Sequence, residues 1–421
     1  MEKKKRSPLF LMALTILIDF TGFGLVIPLL PFWAERLGAN AFEVGLIITV
    51  YALAQLLFTP VLGTLSDRYG RKPVIVVSLF IETVALVMTA LAGSLPLLLL
   101  ARFIGGLGAS NIGSAQAVVV DVTEKQDRAK GMGLIGAAIG LGFVIGPAAG
   151  GVLAPAGQTL PFWVAAGVAL VNALLVFLFL PETHKRASGE TEQTPHGSRG
   201  LGILFSGWRN AARYPSVLGM VLVNLLYTIA FTGMEAIFAL FTQHTFGWGA
   251  SQNGYIFTYI GIIVVIMQGG LVGRLVKRWR EPGVLLAGLV LMAVGLISLA
   301  FSTRFALLLV TLGILSVGDG AVTPTVSTLL SFASPVEVQG EMLGLSQGVG
   351  GLGRIIGPLI AGSLYTFSSA LPFVVGGILV ILAAIVALPA LSAVRRHTRL
   401  SVEVVEAQDV AEVSSSSQSR S

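Results

Sequence analysis

Cysteine is absent from this 421-residue chain, histidine occurs four times, and charged residues make up only 11% of it. The first absence excludes disulfides, thiolate chemistry and cysteine metal sites. His184, His196, His244 and His397 fall in predicted loops or the tail, and no His-Glu-x-x-His helix exists, so no metal centre is expected. No Gly-x-x-x-x-Gly-Lys-Ser/Thr loop is present either, which disfavours an ATP-driven pump. One Gly-x-Ser-x-Gly run, Gly344-Leu-Ser-Gln-Gly348, lacks the preceding strand that a nucleophile elbow needs. Neither an enzyme nor a cofactor is expected.

The shortage of charge says most. A soluble chain carries roughly 25% charged residues, so this one has too few to cover a water-facing surface. In their place 54% of residues are hydrophobic, 51 are glycine, and the mean hydropathy is +0.86. The net charge of +6 could suggest nucleic acid, but the bases lie at the edges of apolar runs and form no basic face. The partner is the lipid bilayer, and the expected fold is an all-α polytopic membrane protein.

Spanning helices need about 20 apolar residues each. Twelve such runs can be drawn, roughly at 8–33, 42–66, 73–93, 95–122, 129–154, 160–181, 215–243, 251–276, 283–302, 304–332, 338–366 and 370–392. The run after Lys3, Lys4, Lys5 and Arg6 is too long for a signal peptide and has no small-residue cleavage site soon after. It reads as a retained first helix. Bases crowd one side: the N-terminus, Arg68, Arg71 and Lys72, then Lys125, Arg128 and Lys130, the 182–214 segment, Arg274 to Arg280, and Arg395 to Arg399. The other side shows only Arg36 and Arg304. The positive-inside rule therefore puts both termini in the cytoplasm. Absent cysteine and targeting signals fit a bacterial inner membrane.

The chain divides into a first half at 1–181, a linker at 182–214, a second half at 215–392 and a tail at 393–421 that ends in a serine run. The linker is polar from His184 to Gly200, after which Leu201, Leu204, Phe205 and Trp208 suggest a short surface helix. Sliding the sequence by 211 residues aligns Gly140-Leu-Gly-Phe-Val-Ile-Gly-Pro147 with Gly351-Leu-Gly-Arg-Ile-Ile-Gly-Pro358. Gly133 falls on Gly344 and Gly151 on Gly362. Two pseudo-symmetric six-helix halves follow, an arrangement that places a substrate at the midplane between them.

Ionisable groups inside a span are costly and face a cavity or a partner. Asp19, Arg102, Glu235 and Asp319 sit on spans one, four, seven and ten, the first helix of each three-helix group. Glu82 on span three and Arg354 on span eleven complete the set. Burial favours a protonated carboxyl and a nearby arginine an ionised one, so acids lining a central cavity can carry protons. The other reading is a set of ion pairs that only hold helices together. Candidate substrate contacts are Phe23, Asn111, Gln116, Tyr227, Phe231, Met234, Tyr255, Tyr259 and Gln268. Glycines of span five, with Pro147, allow close helix approach.

Four motifs carry a family resemblance over residues 10 to 392. They are Gly63-x-Leu-x-Asp67-Arg68-x-Gly70-Arg71-Lys72, Arg102-x-x-x-Gly106-x-Gly108, Gly142-x-x-x-Gly146-Pro147-x-x-Gly150-Gly151, and Asp19-x-x-Gly-x-Gly-x-x-x-Pro28. Together they resemble a major facilitator superfamily transporter of the twelve-helix drug/proton antiporter family, closest to the tetracycline/proton antiporters. The resemblance implies proton or substrate coupling at Asp19, proton transfer at Arg102 and a switch at Gly146-Pro147. It also implies a cytoplasmic gate of Gly63, Asp67, Arg68, Gly70 and Arg71, with Asp121 and Arg128 relaying charge to Asp67. Lys277 replaces that acid in the second half. The stretch from Gly63 reads as a latch favouring the outward-open state, with Asp67 paired to the next loop or to span eleven.

The function expected is secondary active transport, a proton-coupled efflux of drugs or amphipathic small molecules by a monomer. A nutrient symporter or facilitator, and a non-transporting receptor, are the alternatives.

Overall fold

The computed structural model describes residues 2–124, 126–183, 208–335 and 338–392, without the side chains of 2–7 and Ala129. No strand occurs among the described residues. Lipid offers the backbone no hydrogen bonds, so each apolar run closes its own as a helix.

The first six spans are α1 (Glu2–Val26), α2 (Ala41–Tyr69), α3 (Arg71–Ala90), α4 (Leu95–Val122), α5 (Arg128–Leu153) and α6 (Leu160–Phe179). After the described chain resumes come α7 (Pro215–Phe246), α8 (250–279), α9 (281–299), α10 (Phe305–Ala333), α11 (Gln339–Tyr365) and α12 (Leu371–Ser392). Ten helices among the described residues are long and apolar enough to cross a membrane. One of them, Ala250–Leu299, is 50 residues long. It leaves helical geometry at Arg280, where φ is 57° and ψ 165°, and so supplies both α8 and α9. With α11 the spans among the described residues number twelve.

Several boundaries differ from the sequence expectation. Span one ends at Val26, and Leu30–Arg36 forms a separate short helix, because Pro28 and Pro31 withhold backbone donors. α7 runs on to Phe246 and carries His244, expected in a loop, into its last turn. α2 starts cleanly: the Asn40 side chain accepts from the Glu43 amide at 3.0 Å, and Glu43 accepts from the Asn40 amide at 2.8 Å, a reciprocal cap. The hydroxyl of Ser110 bonds back to the Gly106 carbonyl at 2.8 Å where α4 tightens over Ala109–Asn111.

The largest apolar core draws only on residues from Ala211 to Leu391. Another runs from Met12 to Leu180. Of the linker helix only its end is described: Trp208 packs on the later core, Arg209 is exposed, and Asn210 donates to Glu341 of α11 at 3.1 Å. Leu201, Leu204, Phe205 and the 393–421 tail lie outside the described residues.

Between the two groups of helices, α2 meets α11 and α5 meets α8. Both contacts lie in the half of the membrane away from the basic loops. There Thr49 donates to the Ile355 carbonyl at 2.8 Å, and a Cβ on Gly151 would come within 2.9 Å of the Ser251 carbonyl. Toward the basic loops, Gly63, Gly133, Gly269, Gly340 and Gly344 have no neighbouring atom within 4 Å of a built Cβ. The molecule is shut on one face and open on the face carrying the basic loops.

Candidate functional site

The cleft between the helix groups holds the intramembrane charges. Asp19 of α1 accepts a hydrogen bond from Asn172 Nδ2 of α6 at 2.8 Å. The same amide reaches the Thr15 carbonyl at 3.2 Å, so Asn172, itself 1% exposed, fixes where the carboxylate points. Asn111 faces that carboxylate from the α4 turn. A cavity beside it is lined by Phe23 of α1, Tyr51 of α2, Glu82 of α3, and Arg102 and Gly105 of α4. Glu82, although on the third helix of its group, therefore shares a chamber with Arg102.

Arg102 is 7% exposed, and its Nε has no hydrogen-bond partner. Its guanidinium carbon lies 4.2 Å from the centre of the Tyr51 ring. A desolvated cation–π contact is worth about 2 kcal/mol, whereas stripping a buried charge of its partner costs about 3–5 kcal/mol. The ring alone does not compensate the arginine. Glu82 acts on it through space from across the chamber.

In the other helix group Glu235 of α7 is half-buried and Asp319 of α10 is 8% exposed. Each is within electrostatic reach of the other, and Glu235 also of Arg354. Arg354 of α11 is exposed to the cleft, and both Tyr227 and Tyr51 lie within its reach. Among the described residues, the ion pairs within 4.0 Å are Asp67–Arg71, Arg71–Asp121 and Asp127–Lys130, all near the basic-loop face. None of the six intramembrane charges belongs to one.

The candidate substrate contacts separate. Phe23 stands in the cleft wall with Phe143 at 5.9 Å and Tyr51 at 5.6 Å between ring centres. Asn111, Gln116, Tyr227 and Phe231 are on the first helices of their groups, with Asn111 buried and the rest half-buried. Met234 is 4% exposed inside the later core. Tyr259 donates to the Leu309 carbonyl at 3.1 Å and ties α8 to α10. Tyr255 and Gln268 are exposed on α8. These last four are not brought into the chamber at Arg102.

The span-five glycines work on two faces of one helix. A Cβ on Gly142 would meet Phe20, and one on Gly146 the Thr21 carbonyl, while Gly150 lies under Leu25 of α1 and Leu29 just beyond it. Gly151 and the Pro147 carbonyl turn instead to α8, where a Cβ on Gly254 would lie 2.6 Å from that oxygen, while the Pro147 ring stays on α1, 3.0 Å from a Cβ built on Gly24. α11 repeats the plan, with Gly353 and Gly357 on α7 and Pro358 and Gly362 on α2.

At the basic-loop face Arg71 donates to Asp67 at 2.5 Å and to Asp121 at 3.4 Å. Asp67, at the end of α2, has its partner at the start of α3, neither in the next loop nor on α11. Arg68 stacks on Tyr69 at 5.4 Å, and Arg128 is exposed at the start of α5. Gly70 has a φ of 107°. A side chain there would also run into Glu182, whose carboxylate accepts from the Arg71 and Lys72 amides at 3.0 and 3.3 Å. Gly63 lies open on the same face.

The family model described as the Major Facilitator Superfamily matches residues 12–282 and 269–412. The chain belongs to that superfamily. Among its major facilitator relatives, the class C tetracycline resistance protein of Escherichia coli is 31% identical over 401 residues, covering 92% of this chain and 97% of that protein. Multidrug resistance protein 1 of Bacillus subtilis is also 31% identical, over 88% of this chain and 93% of its own length. The fold matches the human organic anion transporter MFSD10 (TETRAN) with a TM-score of 0.67 and 25% identity, over 91% of this chain and 99% of that one. A bacterial homologue of the lysosomal transporter Spinster matches with a TM-score of 0.72 at 15% identity, over 94% and 97% of the two chains. This major facilitator protein is a multi-pass membrane transporter and not an enzyme.

Sequence reasoning missed three residues of the facilitator's cleft and basic-loop face. Tyr51, Asn172 and Glu182 are a lone tyrosine, a lone asparagine and an acid at a span's end. Asn172 carried the one usable signal, an amide in the otherwise apolar run Leu160–Phe179.

Proposed function

We propose that the protein is a proton-coupled exporter of amphipathic small molecules that works by alternating access. The observation that carries this reading is the set of intramembrane charges without ion pairs, gathered at a cleft that is open on one face. Structural ion pairs would be closed and dry. Groups that exchange protons must instead be reachable from water and free to change partners. In this reading Asp19, Glu235 and Asp319 take up and release protons, Arg102 adjusts the first of them, and Glu82 shares its chamber. Phe23, Tyr51 and Phe143 offer aromatic surface to a flat or cationic substrate. The names of the tetracycline and multidrug resistance relatives support drug efflux as the task.

The orientation with both termini in the cytoplasm, in a bacterial inner membrane, makes this the inward-open state of a monomer. Residues 1–181 and 215–392 then act as two bodies rocking about the α5–α8 and α2–α11 contacts. The latch at Asp67 is disengaged from the second body here, as the outward-open role assigned to it requires.

The test is transport in proteoliposomes with an imposed pH gradient and three probes: tetracycline, norfloxacin and ethidium. Wild type is expected to accumulate at least one probe against its gradient, and Asp19→Asn none. Accumulation that ignores the pH gradient would overturn proton coupling.

A further inference from the structure

Two arginines sit inside the membrane, and the transport reading gives a task to only one of them. Arg102 is buried beneath the Tyr51 ring. Arg354 of α11 is exposed to the cleft and belongs to no ion pair within 4.0 Å among the described residues. A guanidinium keeps its charge in a protein, so Arg354 cannot serve as a proton carrier. It offers a cleft substrate a fixed positive charge with five donors.

Its direction follows from its neighbours on the helix. Gly353 and Gly357 pack on Thr228 and Thr232 of α7, while Ile355 and Pro358 meet Thr49 and Gly45 of α2. At about 100° per residue, Arg354 falls midway between these two faces. It therefore enters the cleft where one helix group gives way to the other. The internal repeat places Phe143 at the equivalent position of α5, 211 residues earlier. Phe143 lies likewise between the glycines on α1 and those on α8, with its ring 5.4 Å from Phe20 and 5.9 Å from Phe23. Equivalent positions of the two glycine helices thus carry an aromatic wall in one group and a bare guanidinium in the other. Tyr51, which stands against Phe23 in that wall, is within electrostatic reach of Arg354. One small molecule can touch both.

We infer that Arg354 is a specificity-determining residue that binds a carboxylate on the substrate, and that the exported compounds are aromatic zwitterions. The flat ring lies on Phe23 and Phe143, and the planar guanidinium takes the carboxylate through two parallel hydrogen bonds. A carboxylate seated there occupies the cation that Glu235 has within its reach. Glu235 is then left to a proton or to a positive group on the same substrate. Only the second makes substrate and proton compete for one acid, which is what exchange requires. The positive group thus rests on the proton-coupled reading proposed above, whereas the carboxylate at Arg354 can be tested without it.

The experiment measures binding to the full-length protein in detergent by equilibrium dialysis, with two matched pairs of probes. They are norfloxacin with its ethyl ester, and a rhodamine free acid with its methyl ester. Esterification removes the carboxylate and leaves the positive group. Wild type is expected to bind each acid at least about tenfold tighter than its ester, the scale of one hydrogen bond to a charged group. Arg354→Gln should bring each pair within about twofold, and Arg354→Lys, which keeps the charge without the fork, should fall between. A wild type that binds the esters as tightly as the acids, or binds neither, would overturn the inference. So would an Arg354→Gln variant that keeps the preference. One that loses acid and ester equally would overturn it as well, leaving only a packing role. Uptake of the two acids into proteoliposomes tests the other reading separately. Accumulation that ignores the pH gradient would overturn proton coupling and the need for a positive group, while the carboxylate preference set by Arg354 would stand.

Discussion

Gly45 of α2 lies so close to Pro358 of α11 that a side chain at Gly45 would overlap the proline's carbonyl oxygen. Gly254 of α8 and Pro147 of α5 stand in the same relation. The two helix groups touch through backbone at both places, and an added methyl must push them apart.

Gly254→Ala is therefore expected to loosen the closed face. The chain has no cysteine, so a single Thr49→Cys, at a site 4% exposed, reports opening without background. Its labelling by a membrane-impermeant maleimide should rise by about tenfold when Gly254→Ala is added, as a bias near 1.4 kcal/mol would give. Unchanged labelling would mean that the contact yields locally.

Asn172→Leu removes the amide that aims Asp19. A lost buried hydrogen bond to a charged group costs about 1.5–3 kcal/mol, so pH-driven accumulation should fall by roughly tenfold or more while insertion and yield stay normal. Wild-type accumulation in this variant would show that Asp19 needs no such support.

Gly70→Ala combines a positive-φ, extended-ψ backbone that only glycine adopts readily, costing a residue with a Cβ about 1–3 kcal/mol, with a collision against Glu182. Glu182→Gln keeps the geometry and removes only the charge at the α3 N-terminus, worth about 0.3–1 kcal/mol. Thermal unfolding in detergent should therefore be lowered clearly by Gly70→Ala and only slightly by Glu182→Gln. The opposite order would place the constraint on the carboxylate.

Asp67→Asn breaks a pair whose acid is 58% exposed. Such pairs contribute about 0–1 kcal/mol, so thermal stability in detergent should barely move. Under the proposed latch role of Asp67, which acts when the basic-loop face is shut, transport should drop. Full transport with intact insertion would reduce Asp67 to a topology marker.

The spans were legible because a bilayer demands one thing of every helix, a long apolar run. The α8–α9 break was legible as well, since Arg280 turns inside the basic segment between the spans drawn roughly at 251–276 and 283–302. The charges of the cleft were legible for the same reason as the spans: Asp19, Arg102, Glu235 and Asp319 interrupt apolar runs. Their surroundings were not. Tyr51 lies 51 positions before Arg102, and Asn172 lies 153 beyond Asp19, so only tertiary packing joins them. Aromatic character misled at Tyr255, which is exposed, and at Tyr259, whose hydroxyl fastens two helices. A ring in a membrane helix has several uses, and the sequence does not distinguish them.

The two-faced glycine helices α5 and α11 have an evolutionary corollary. A joint made of bare backbone carries no imprint of the cargo. On the proposed reading, substitutions at Phe23, Tyr227 or Phe231 would redraw what the cleft accepts without touching the contacts between the helix groups, and mutations in the joint would alter speed without altering taste. Cargo and motion can drift independently, so one moving frame can be inherited by transporters of unrelated compounds.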